Sequence, residues 1–282
     1  MRAVLTPACQ EELFAAWQTH PDAIPMAGGS DLLVKLRSAD SSDLRPLLLL
    51  SRIGELNGII QDDSHICIGA ATTFSRIIAH PAIREHAPIL ADAAAHVGGP
   101  AIRNMATIGG NICTASPAGD ALPPLYLLEA EVELLSPSGA RRLPISDFIL
   151  GPGKTALKPG ELLSSVIIPT GRHFAVSRFE KVGRRKSLAI SVASLSSLIN
   201  LSPDGIITEA RLAWGSVGPT VVRLNSLETD LQGQKTCQRN MRRIVETVRD
   251  GVAPIDDIRA TAAYRRSVSA NLLVRLLESL HV

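Results

Sequence analysis

Two short segments hold the residues of this 282-residue sequence best suited to chemistry, and that chemistry is holding a ligand rather than breaking a bond. In the first, Ala27-Gly28-Gly29-Ser30-Asp31-Leu32, an apolar run over 23–27 ends in a glycine pair. Leu32, Leu33 and Leu36 follow at helical spacing, which predicts strand, turn and helix. N–H groups exposed at such a turn can seat an anion, and Ser30 or Asp31 can cap the helix. The spacing matches neither the Rossmann nor the Walker pattern, so taken alone the segment reads mostly as a turn. The second segment runs from Thr107 to Pro124 with Asp120 as its only charge. Gly109 and Gly110 would each cost about 1 kcal/mol inside a helix, which predicts a loop. Little bulk and many N–H, hydroxyl and amide groups suit the close approach of a phosphate or a sugar edge, with a tight surface turn as the alternative. No nucleophile–base pair stands out anywhere in the chain, so no general acid or base is assigned.

These segments need a scaffold, and the composition permits one. Hydrophobic residues make up 45% and charged residues 20%, which suits a globular chain long enough for two domains. Aromatics are only 3%, so the cores must be aliphatic and stacking platforms for single-stranded nucleic acid are not expected. The net charge of +2 gives no long-range field for nucleic acid or an anionic membrane, and Arg184-Arg185-Lys186 and Arg242-Arg243 read as solvated faces. The longest aliphatic run, Leu47 to Leu50, is far too short to insert in a bilayer, and the first residues show no apolar leader, so a soluble cytoplasmic chain is expected. Cys9, Cys67, Cys113 and Cys237 stand apart without metal-ligand spacing, so no metal site is expected and any iron–sulfur chemistry must come from another chain.

Several further elements are legible. A strand is predicted near 46–50, a hairpin over 58–68, a helix from Thr72-Thr73 that Pro81 breaks, and a second helix over 88–97. A hairpin turning at Pro137-Ser138-Gly139 and a strand over 161–168 follow, with a domain boundary at Pro169-Thr170-Gly171. Beyond it, strands over 173–182, 188–201 and 206–214 predict an antiparallel sheet, and two helices close the chain. The last helix should bury Val268, Leu272, Leu276 and Leu280 and turn Arg265, Arg266, Arg275 and Glu278 to water. Hairpins mixed with helices, without regular strand–helix alternation, predict an α+β fold.

Taken together, AGGSDLL at 27–33 and IRNMATIGGNICTASPAGD at 102–120 resemble the paired flavin loops of the FAD-binding subunit of molybdenum-containing hydroxylases, the group of xanthine dehydrogenase and aerobic carbon monoxide dehydrogenase. LKPGELLSSVIIP at 157–169, FEKVGRRKSLAISV at 179–192 and AAYRRSVSANLLVRLL at 262–277 resemble later family segments, so the likeness spans nearly the whole chain. The resemblance implies a two-lobed PCMH-type FAD-binding domain over 1–171, with lobes at about 1–55 and 56–171, and a smaller α+β carbon monoxide dehydrogenase flavoprotein-like C-terminal domain over 172–282.

It also implies site residues. Backbone N–H groups of Gly28, Gly29, Ser30 and Asp31, flanked by Ala27 and Leu32, would carry the FAD pyrophosphate, since neither 27–33 nor 107–120 holds a positive side chain. Thr107, Ile108, Gly110, Asn111, Thr114 and Asp120 match the second loop's contacts, with Asp120 suited to accept from a ribose or ribityl hydroxyl. Leu163 matches a residue whose backbone meets the cofactor, and Lys181 is a looser match to a lysine beside the flavin. Arg103 reads equally as a rim charge, and Cys113 as a small packing residue. From the residues alone, Asn111 could instead hold a turn and Asp120 cap the helix that follows.

By resemblance, the chain is an oxidoreductase subunit for electron transfer. FAD would receive electrons from 2Fe-2S clusters of an iron-sulfur subunit, fed by a molybdenum-cofactor subunit, and pass them to NAD+ or another acceptor. The absence of an inserted cysteine cluster sets aside the branch with an extra iron–sulfur center. The compact length suggests a xanthine dehydrogenase-like heteromeric complex acting on a purine or related N-heterocycle. Two other readings compete: a stand-alone flavin reductase of peptidoglycan precursor synthesis, and a non-catalytic nucleotide-binding or assembly protein on the same fold.

Overall fold

A computed structural model describes residues 2–38, 43–185, 188–235 and 241–280; Lys186 and Cys237, named above, lie outside the described residues. The chain opens on a small parallel sheet in which Leu47–Leu49 lies between Val4–Leu5 and Ile24–Met26, with Leu47 opposite both Val4 and Ile24. Strands this short carry no readable alternation, which is why the parallel pairing was not legible in the sequence. Their apolar side chains join Leu13 of the Gln10–Thr19 helix, Ile53 and Leu56 in a small core that holds the AGGSDLL turn at its edge.

The second sheet is antiparallel, in the order Ile59–Gln61, His65–Gly69, Leu162–Pro169, Glu131–Ser136, Gly139–Pro144. Leu162–Pro169 is the central strand, and seven of its eight residues are buried, as expected where both faces are covered. Helices Phe74–Ala79, Pro81–His86, Pro88–Ala95 and Leu122–Leu127 pack on it through an aliphatic core. Pro81 ends one helix and opens the next at its first position, where its missing N–H costs nothing.

The third sheet runs Val176–Gly183, Ser191–Leu201, Ile207–Gly215, Val222–Arg223, all antiparallel. Phe179, Leu198 and Ala213 join the core of the second lobe, while Leu195, Leu212 and Trp214 pack in a separate core with helices Met241–Gly251 and Ala262–Ser279. A sheet covered on both faces explains the near-continuous burial of Ser191–Leu201.

One expectation needs correction. Arg265, assigned to the wet face of the last helix, is 1% exposed. Its guanidinium donates to the Val192 carbonyl at 3.1 Å, the Ser216 carbonyl at 2.9 Å and Asp257 Oδ1 at 2.6 Å. Helical periodicity cannot register the segment before the helix, which folds back and supplies the carboxylate. Arg275 and Glu278 are exposed and Arg266 half-buried.

Arg141 and Glu161 clamp the far side of the second lobe with two hydrogen bonds of 2.7 and 2.8 Å, and the Lys158 N–H adds a third at 2.8 Å. The guanidinium, opposed in part by burial and helped by that N–H, holds the Glu161 carboxyl down at about 2, below its ordinary 4.5. A depressed carboxylate contributes stability above its unfolded value and loses it as pH falls. Denaturation midpoints should therefore decline as pH drops from about 4.5 toward 2, and Glu161→Gln should lower the plateau and flatten that decline.

Candidate functional site

A cleft of about 530 Å³ separates the first lobe from the second, with residues 25–35 on one wall, residues 97–120 on the other and Leu188, Ala189 and Ile190 of the third sheet's loop at its rim. Two glycines shape the first wall. A Cβ on Gly28 would stand 1.8 Å from the Met105 carbonyl oxygen, so the two walls meet here backbone to backbone. Gly29 has φ +67°, a left-handed conformation that glycine adopts without strain.

The opposite wall departs from expectation. Residues Ile108–Thr114, read as loop, form a seven-residue helix. Thr107 caps it by accepting from the Gly110 N–H at 3.2 Å. The Ile108 and Gly109 N–H groups donate to the Thr72 and Ala70 carbonyls at 3.1 and 2.9 Å. A Cβ on Gly109 would stand 2.7 Å from the Ala70 oxygen, so glycine is required for close packing rather than for a turn. Low helix propensity is overridden by a tertiary contact. The helix stops at Ala115, whose φ of 45° and ψ of 41° place it in the left-handed region.

The cleft gathers most of the residues singled out in the sequence. Ala27, Gly28, Gly29, Ser30, Asp31 and Leu32 lie on one wall, and Thr107, Gly110, Asn111, Thr114 and Asp120 on the other. Thr114 Oγ1 reaches across to donate to Asp31 Oδ2 at 3.3 Å. Three residues stand off the wall. Ile108 and Leu163 are buried in the core of the second lobe. Lys181, on the Val176–Gly183 strand, lies behind Asp120 and donates to its Oδ2 at 2.5 Å and to the His96 carbonyl at 3.2 Å.

Both members of the Asp120–Lys181 pair are buried, with side chains 8% and 7% exposed. Burial raises the Asp120 pKa, and the Lys181 ammonium, through charge and hydrogen bond, opposes that rise. Asp120 Oδ1 nevertheless has no hydrogen-bond partner, and neither has Asn111 Oδ1. A buried oxygen left unpaired costs about 1–3 kcal/mol. Two such acceptors on one wall fit a ligand rich in hydroxyl donors, and the opposite turn, crowded by no side chain at Gly28 or Gly29, fits a phosphate. The residues present therefore match a dinucleotide with a polyol chain.

Sequence reading missed Lys35, which lines the cleft one helical turn beyond Asp31 and pairs with its Oδ2 at 2.6 Å. The Asp–Lys spacing of four on a helix was the available signal. Cys113 is exposed on the wall rather than packed, because the helix turns this residue outward. Arg103 is not among the lining residues of the cleft; one of its terminal nitrogens donates to the carbonyls of Ala95, Val97 and Gly98 at 3.0, 3.2 and 2.9 Å, tying down the chain after the Pro88–Ala95 helix.

Comparison with known proteins gives a consistent outcome. A family model described as the FAD binding domain in molybdopterin dehydrogenase matches residues 1–171, and one described as the CO dehydrogenase flavoprotein C-terminal domain matches residues 178–280. The chain is 34% identical over 249 residues to a xanthine dehydrogenase FAD-binding subunit of Escherichia coli, covering 87% of this chain and 84% of that one. It is 32% identical over 284 residues to the nicotinate dehydrogenase FAD-subunit of Eubacterium barkeri, covering 97% and 95%. Among solved structures, a chain of reconstituted CO dehydrogenase from Oligotropha carboxidovorans superposes with a TM-score of 0.90 at 27% identity, over 98% of this chain and 96% of that one.

The wall-to-wall contact yields a direct test. Gly28→Ala should push the Met105 carbonyl away at a cost of about 1–3 kcal/mol, read as a lowered denaturation midpoint, and should open the cleft enough to weaken the binding of added FAD.

Proposed function

This chain belongs to the FAD-binding subunits of the molybdenum hydroxylases, and from that premise we propose that it forms the electron exit of a cytoplasmic, xanthine dehydrogenase-like complex. In this reading it receives electrons from the 2Fe-2S clusters of an iron-sulfur subunit, fed in turn by a molybdenum-cofactor subunit, and delivers them to NAD+. The relatives named for xanthine and nicotinate support an N-heterocyclic substrate on the molybdenum subunit. The three described cysteines are free, which suits a reducing compartment.

The observation that carries the reading is the pair of buried, unpaired oxygens, Asn111 Oδ1 and Asp120 Oδ1, on the wall opposite the Gly28-Gly29 turn. Bound FAD supplies the redox chemistry, accepting electrons singly and releasing a pair. This chain binds and orients. The N–H groups of residues 28–31 would meet the pyrophosphate, each charge-assisted bond being stronger than a neutral one. Thr107, Asn111, Thr114 and Asp120 would hold the hydroxyl-bearing chain, and Lys181 aims Asp120 through its hydrogen bond to Oδ2 and opposes the effect of burial on its charge. Ile108 and Leu163 would act through the packing beneath the wall.

Two measurements test this. Asn111→Ala with Asp120→Ala should weaken FAD binding by about 2–4 kcal/mol, read by flavin fluorescence titration, and full flavin retention would overturn the assignment of these two groups. Flavin absorbance of the complex purified with its partner subunits should bleach on anaerobic addition of NADH. Bands that persist would move the acceptor from NAD+ to another carrier, and a colourless complex would overturn the electron-exit reading.

A further inference from the structure

A diphosphate carries two negative charges, yet the wall assigned to it already holds a carboxylate. Asp31 lines the cleft, and its Oδ2 is the acceptor for both Thr114 Oγ1 and Lys35 Nζ, at 3.3 and 2.6 Å. Unless that charge is balanced, it repels the ligand that the turn is shaped to receive. Among the described residues, three other cations close to the walls are engaged elsewhere: Lys181 with Asp120 and the His96 carbonyl, Arg103 with three backbone carbonyls, and Arg185 with the Leu188 carbonyl. Among the described residues lining the cleft, Lys35 is the one cation.

Resting on the FAD assignment, we propose that Lys35 is the counter-charge of the FAD diphosphate, held over the glycine turn by Asp31 until the cofactor arrives. The exposure of the pair makes this workable. The Lys35 and Asp31 side chains are 61% and 51% exposed, and an ion pair in that setting is worth little, so a dianion can draw the ammonium from its carboxylate at small cost. Lysine suits the role, since its flexible stem lets one ammonium serve the carboxylate first and the phosphate afterwards. The Thr114 hydroxyl remains on Asp31 throughout, so the carboxylate keeps a donor and the two walls stay linked.

The test is FAD titration of the full-length chain, stripped of flavin, at low and high ionic strength. Lys35→Met should raise the FAD dissociation constant about tenfold at low salt, with the deficit shrinking as salt is added, and Lys35→Arg should restore most of it. The Asp31→Asn/Lys35→Met double variant separates contact from mere neutralisation, and it should still bind more weakly than the wild type. Overturning results are an unchanged constant in Lys35→Met, a deficit that salt does not move and arginine does not repair, or a double variant that binds as tightly as the wild type. A wild-type chain that takes up no FAD would overturn the flavin assignment itself, and this inference with it.

Discussion

Everything about the cleft follows from one close approach, that of the Gly28 backbone to the Met105 carbonyl. At this point the first lobe and the second meet with no side chain between them, since even a methyl group would overlap the oxygen. Contact at the base fixes the distance between the walls, and the walls then diverge to leave about 530 Å³. Protein interiors transmit rather than absorb such constraints, because they are packed to crystal density. The Thr114–Asp31 hydrogen bond, at 3.3 Å and between partly exposed groups, trims this arrangement but could not set it.

A second constraint comes from the third sheet. Lys181 enters the side of the second lobe to meet Asp120, and the Ser216 N–H donates to the Pro117 carbonyl at 2.8 Å. The segment from Ser116 to Asp120 is thus held from behind by a different domain. A buried carboxylate without a cation is pushed toward its neutral form, so the Lys181 ammonium supplied by the third sheet favours the charged, stronger acceptor at Asp120. That dependence gives a physical reason for the two domains to share one core, in which Phe179, Leu198 and Ala213 pack with residues of the second lobe.

The architecture also separates binding from stability. The unpaired amide oxygen of Asn111 and carboxylate oxygen of Asp120 stand at the cleft, whereas the Arg141–Glu161 and Arg265–Asp257 pairs stand away from it. Arg141–Glu161 and Arg265–Asp257 satisfy their charges internally and serve the fold. Unpaired polar groups are costly in the free chain, and that cost is what a cofactor relieves.

Much of this was legible in the residues themselves. Hairpins, the antiparallel third sheet and the last helix announced themselves through alternation, turn chemistry and the recurrence of leucine, because those signals are local and repeat. The cleft residues from Ala27 to Leu32 and from Thr107 to Asp120 were legible through the resemblance of two loops to one family. Three things were decided only in the tertiary structure. Gly109-Gly110 became helical because the Ala70 backbone lies against it, Arg265 became buried because a returning loop brings Asp257, and Lys35 reached the cleft because its helix faces the second lobe. In each case the partner is distant in sequence or sits on another element. A chain can encode its own periodicity one residue at a time, but what a glycine touches or a charge neutralises exists only once the backbones have met.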